Sequence, residues 1–161
     1  MHPRARTLID ELQLLPHPEG GYFREIFRSA ATVQPDDART SRQALTTIYF
    51  LLPAGAHSRW HRVASDEVWH LYEGGPLELL VADPQINEVQ RVVLQPASKN
   101  AGPAFTVPAL WWQAARPLDS YALAGCTVGP GFEFEDFSFL REQPGLVEAL
   151  RRTDPAAAAL I

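Results

Sequence analysis

This 161-residue chain has one cysteine, Cys126. A single thiol closes no internal disulfide and builds no cysteine-based metal knuckle. Its small apolar neighbours Ala124, Gly125 and Val128 mark it as a buried core residue rather than a nucleophile. Long apolar runs are missing too, and none approaches the ~20 residues that span a bilayer. The first residues, MHPRARTLIDELQLL, start basic but meet Asp10 and Glu11 before any apolar core or cleavage site develops. They do not read as a signal peptide, so the cytoplasm is the expected location. Basic charge is scarce: the net charge of −5 and pI near 5.5 argue against a broad nucleic-acid footprint. No internal repeat, linker or second domain is visible, so residues 1–161 are expected to form one domain.

What the chain does have is 46% hydrophobic and 20% charged residues, a globular balance at a length that buries a large core. Leu8, Ile9, Leu12 and Leu15 recur at helical spacing, so a short N-terminal helix is expected within residues 1–16, stopped by Pro16 and Pro18. HPEGG (17–21) is a turn. Tyr22–Ser29 alternates, and TVQPDDARTSRQ (32–43) reads as a mobile polar surface loop. Strands follow at Ala44–Leu52, Val68–Tyr72, Leu77–Ala82, Glu88–Leu94, Phe105–Val107, Trp111–Ala115 and Tyr121–Val128, with turn residues between them. Short strands at regular spacing indicate an all-β sandwich or barrel. The phenylalanines 132, 134, 137 and 139 shift phase at Asp136, which implies a bulge or corner. Glu133 and Glu135 read as a solvated face, with Asp136 as a turn former. A terminal amphipathic helix is expected over 143–152.

The densest chemistry lies in HSRWHRVASDEVWHLYEGG (57–75), with three of the five histidines, the acids Asp66 and Glu67, and two tryptophans. Imidazole, carboxylate and indole within one or two strands suggest a site inside the barrel.

The strand order and two short patterns resemble the cupin superfamily, a double-stranded β-helix or jelly-roll barrel. Its first pattern falls on Gly55, Arg59, His61, Glu67 and Gly74 or Gly75; its second falls on Gly102, Pro108, Leu110 and Gln113. HPEGGYFREIFRS, IYFLL, SDEVWHLYEGGPLEL, VPALWW and LAGCTVGPGFEFEDFSF resemble the domain-of-unknown-function 985 (cupin 5) group. The resemblance implies a barrel over 22–139 and usually a homodimer, but no agreed reaction. An open edge beside Tyr22–Ser29 invites the same pairing.

Metal-binding cupins hold an ion with three histidines and a glutamate. Here Arg59 occupies the first histidine position and cannot ligate, while Gln113 offers only a neutral carbonyl. The expectation is no cofactor, with a weak divalent site left open if His57 joins His61 and Glu67. Acid–base chemistry is then the most useful remaining option, with Glu67 orienting the ring of His61 and His61 moving a proton. A plain ion pair of Glu67 with Arg59 or Arg62 is the alternative. His70 lies three residues from Glu67, so it shares the cavity only if a bulge intervenes near Trp69, yet WHLY in the family resemblance makes it a ligand-binding candidate. Arg24, Arg28 and Arg59 could clamp an anion or simply face solvent. Tyr22, Tyr49, Trp69, Trp111 and Trp112 could stack on a sugar-like ligand or form core. The expected function is a barrel binding a small polar, sugar-like or anionic ligand, with metal-independent isomerase or epimerase-type proton transfer by His61 and Glu67. A metal-dependent oxygenase or isomerase and a non-catalytic binding barrel remain the alternatives.

Overall fold

The computed structural model describes residues 1–98 and 101–161. Helix α1 (Pro3–Glu11) is followed by β1 (Leu15–Pro16), β2 (Tyr22–Arg28), β3 (Thr32–Val33), β4 (Arg42–Gln43), β5 (Thr46–Pro53) and β6 (Ser58–Val63). Next come β7 (Asp66–Gly74), β8 (Leu77–Ala82), β9 (Val89–Leu94), β10 (Ala104–Val107), β11 (Trp112–Pro117), β12 (Tyr121–Gly129), β13 (Phe137–Phe139) and α2 (Pro144–Thr153). The strands form one sheet in the order β1-β2-β5-β12-β7-β10 and a second in the order β13-β6-β11-β8-β9. Neighbours in both sheets are antiparallel. This is the jelly-roll arrangement expected from the sequence.

Alternation decides which side chains meet between the sheets. Leu77, Leu79 and Val81 of β8 and Ala122, Ala124 and Cys126 of β12 point inward, joining Phe50, Leu52 and Trp69 in the central core. The opposite face of β8, Leu80 and Ala82, is also dry. With Trp60, Trp112 and Ala114 it packs beneath α2 and the C-terminal residues Ala157 and Leu160. That double burial explains why LELLVA carries apolar residues on both faces, with Glu78 as its one polar position. On the first sheet Leu51, Tyr121 and Leu123 are covered by Ala5 and Leu8 of α1.

Two expectations need correction. The N-terminal helix ends at Glu11, because Gln13 takes a left-handed φ of 54° and Leu15–Pro16 pairs with Tyr22–Phe23 instead. The 32–43 segment is a largely exposed loop only over 34–41: its ends pair as β3 and β4, and Arg42 turns inward. The Arg42 guanidinium bonds both carboxylate oxygens of Asp136 at 2.9 and 3.0 Å, and it also contacts Glu135. Arg39 adds bonds to Asp136 at 3.2 Å and to Ser65 at 2.9 Å. Asp136 therefore sits in a buried ion cluster at the corner where a 3-10 turn (Phe134–Asp136) leads into β13. The two arginines hold its carboxyl below the usual range.

Candidate active site

A cavity of about 110 Å³ opens at one end of the space between the sheets. That is room for several waters or one small molecule, well below the ~300–1,000 Å³ of drug-sized sites. Its apolar walls include Phe23, Ile48, Val63, Val128, Phe132 and Phe137. Its polar groups are Glu19, His17, His61, Glu67 and Cys126 on the inside, with Glu25, Arg28 and Glu133 near solvent.

His61 faces the cavity in step with Val63, and an irregularity in β6 falls just before it. On β11, Gln113 pairs with His61 but Ala115 pairs with Ser58, so β6 carries an extra residue in this ladder. The extra residue resets the alternation. Ser58 and His61, three apart, both become buried with the Ser58 hydroxyl 3.4 Å from His61 Nδ1. His61 Nδ1 lies 2.7 Å from the Arg59 carbonyl oxygen, an acceptor only, so the neutral ring carries its proton there and leaves a lone pair on Nε2. Burial pushes the imidazole below its ordinary pKa.

Glu67 enters from β7. Its Oε2 accepts the Gln113 side-chain amide at 2.5 Å, and Cys126 lines the same cavity. Gln113 Oε1 in turn accepts the Trp69 indole N–H at 2.8 Å. Burial raises Glu67, and it raises the Cys126 thiol well above the ordinary range.

The acid against His61 is one the sequence reading did not select. Glu19 Oε2 lies 3.2 Å from His61 Nε2, and Glu19 Oε1 accepts the Ser58 hydroxyl at 2.9 Å. Glu19 belongs to the HPEGG turn, which docks when Arg59 N–H donates to the Glu19 carbonyl at 2.8 Å. Gly20 makes the docking possible. Its φ is 115°, and a Cβ there would lie 2.2 Å from the His57 carbonyl oxygen. Burial raises the Glu19 carboxyl to about 7. His17, on the same turn, places Nδ1 3.7 Å from Glu19 Oε2 and is lowered by burial. The available signal was the Gly-Gly turn itself, with a His and a Glu immediately before it.

The remaining expected site residues scatter. Trp69 is inside, but as core bonded to Gln113. Trp112 faces the other way, fully buried under the C-terminal segment with the Arg62 guanidinium 4.6 Å above its ring. Tyr22 and Tyr49 pack on the outer face of the first sheet beside α1. Arg24 bonds the Leu12 carbonyl there at 3.1 Å. His70 shares that outer face, its ring 6.4 Å from Tyr72 and nearly parallel to it. The bulge in β7 falls at Tyr72 rather than near Trp69, too late to turn His70 inward. Arg59 leaves the face of His61 because of the β6 bulge, and its Nη1 bonds the Pro18 carbonyl at 3.2 Å. Arg28 does reach the mouth, but Glu25 and Glu133 engage it at 2.8 and 2.6 Å, leaving little for an anionic ligand.

A three-histidine, one-glutamate metal set does not fit these residues. Arg59 points away, and Gln113 commits its carbonyl to Trp69 and its amide to Glu67. Among the described residues, no group of three or more His, Cys, Asp or Glu side chains is arranged to hold an ion. Nor, among those residues, is any helix long and apolar enough to cross a membrane.

Comparison with known proteins agrees with the architecture. A family model described as Cupin superfamily (DUF985) matches residues 6–140. A hypothetical protein from Leishmania major superposes with a TM-score of 0.80 at 34% identity, covering 98% of this chain and 96% of that one. Protein SO0799 from Shewanella oneidensis gives 0.80 at 32% identity, covering 97% and 93%. The uncharacterized protein YML079W of Saccharomyces cerevisiae is 28% identical over 157 residues, 88% of this chain and 77% of its own length.

Proposed function

The chain belongs to the cupin superfamily, in its DUF985 family, and we propose that its barrel binds a small, uncharged, polar molecule and moves a proton on it without a metal ion. One observation carries the proposal. His61 spends its Nδ1 proton on a backbone carbonyl and turns Nε2 toward the cavity, 3.2 Å from the buried carboxyl of Glu19. A neutral, fixed imidazole becomes a general base once the acid facing its Nε2 has given up its proton. Glu67, held by the Gln113 amide, places a second carboxyl on the cavity wall. Two buried carboxyls disfavour an anionic guest, and the committed Arg28 does not offset them. Sugar-like molecules carrying a carbonyl next to a C–H suit this chemistry, and isomerase or epimerase-type turnover is the corresponding reaction.

The test is proton exchange. Small aldoses and ketoses incubated with the protein in D₂O should lose the C–H signal beside the carbonyl in proton NMR. His61→Asn should slow that loss by roughly 100-fold or more, the usual contribution of a general base. Retention of the signal across the panel, with no ligand-induced shift of cavity resonances, would leave a non-catalytic barrel.

A further inference from the structure

We propose that Glu19 and His61 share one proton as a dyad, and that Glu19, not Glu67, is the acid that hands a proton to the ligand. The inference rests on the proton-transfer reading above and assigns the second partner in it.

The argument is one of donors and acceptors. The neutral His61 ring carries its hydrogen on Nδ1, facing the Arg59 carbonyl at 2.7 Å. Nε2 then presents a lone pair to Glu19 Oε2 at 3.2 Å. Two lone pairs do not face each other at that distance in a dry site without a proton between them. That proton makes either a carboxylic acid donating to imidazole or an imidazolium donating to carboxylate. Glu19, Ser58 and His61 are all buried, so bulk water does not take its place. Glu67 stands differently, since its Oε2 already accepts the Gln113 amide at 2.5 Å.

One residue pins both members. The Arg59 peptide N–H holds the Glu19 backbone at 2.8 Å, and the Arg59 carbonyl holds the His61 ring. Arg59 sits in the stretch of β6 that carries the extra residue, so the bulge that brings Ser58 onto the face of His61 also docks the acid. The other groups facing the pair are His17, Glu67 and Cys126. His17 Nδ1 accepts the Glu19 backbone N–H at 3.3 Å. This leaves His17 no proton on that nitrogen to give the carboxyl.

When a hydroxycarbonyl compound enters, Glu19 gives its proton to the carbonyl oxygen, which frees Nε2 to take the proton from the adjacent carbon. The ligand becomes a neutral enol, Glu19 a carboxylate and His61 an imidazolium. Return of the imidazolium proton to the neighbouring carbon, and of the original hydroxyl proton to Glu19, completes an isomerisation with protons and charge balanced.

The dyad is read in the ligand-free protein by following the ¹⁵N shifts of His61 and the ¹³C shift of the Glu19 carboxyl from pH 5 to 9. The two should titrate in one shared step. Glu19→Gln should abolish the His61 step, and Glu67→Gln should retain it. Ser58→Ala, which removes a donor to the carboxylate, should move the midpoint upward. A His61 that titrates alone, or a step lost in Glu67→Gln but kept in Glu19→Gln, would overturn the dyad. Because no ligand is present, failure of the exchange assay above would count against turnover and leave the dyad standing.

Discussion

Replacing Glu19 by Gln gives a stability change whose pH dependence can be worked from the structure. The carboxyl is raised from 4.5 to about 7, chiefly by burial. A raised acid binds more protons in the folded than in the unfolded chain between those values, so it stabilises the fold fully below pH ~4.5 and loses that contribution as pH rises through ~7. At ~1.4 kcal/mol per pH unit, the span corresponds to roughly 3 kcal/mol. Glutamine imitates the protonated acid: its carbonyl accepts the Ser58 hydroxyl and its amide donates to His61 Nε2. Near pH 5 the variant should match the parent within about 1 kcal/mol. At pH 9 it should be the more stable of the two by roughly 3 kcal/mol relative to that baseline, since the parent then holds a buried carboxylate against a lone pair. Glu67 is raised by the nearby Glu19 as well as by burial, so removing the Glu19 charge adds in the same direction. Urea unfolding at both pH values, compared between parent and variant, measures the difference. A difference flat across pH, or one with the parent gaining on the variant as pH rises, would refute a protonated buried Glu19.

Removing the Arg42 guanidinium with Arg42→Met leaves Asp136 short of its main partner inside the corner. A clear loss of stability, measured by chemical denaturation, is expected, because only Arg39 at 3.2 Å then faces the carboxylate. A loss below about 1 kcal/mol would mean that Asp136 is solvated. On the outer face of the first sheet, Ile26 and Tyr72 are 42% and 52% exposed. We expect this face to bury them in a homodimer. Light scattering should give twice the chain mass for the parent and the chain mass for Tyr72→Glu; a monomeric parent would contradict it.

Much of this molecule follows from the sequence alone, because strand alternation is a local property. The apolar period of Leu77–Ala82 and Tyr121–Val128 and the turn residues between strands announced an all-β barrel. The HSRWHRV and SDEVW segments announced where imidazole and carboxylate would enter it. Parity also located Trp69 and Glu67 on one face and His70 on the other. Local reasoning stopped at register. The extra residue in β6 reverses the alternation between Ser58 and His61, and nothing in SRWH marks it, because a bulge is fixed by the pairing with β11. The roles of Arg42 and Asp136, 94 residues apart, were hidden for a similar reason: a charge in a polar stretch looks solvated until its partner folds onto it. Glu19 is the clearest case. A glutamate before two glycines reads as an ordinary turn, and only the close approach of Gly20 to the His57 carbonyl swings it against His61. The sequence by itself determined the container and one half of its chemistry. Tertiary structure chose the acid, because a hydrogen-bond partner is decided by distance in space and not along the chain.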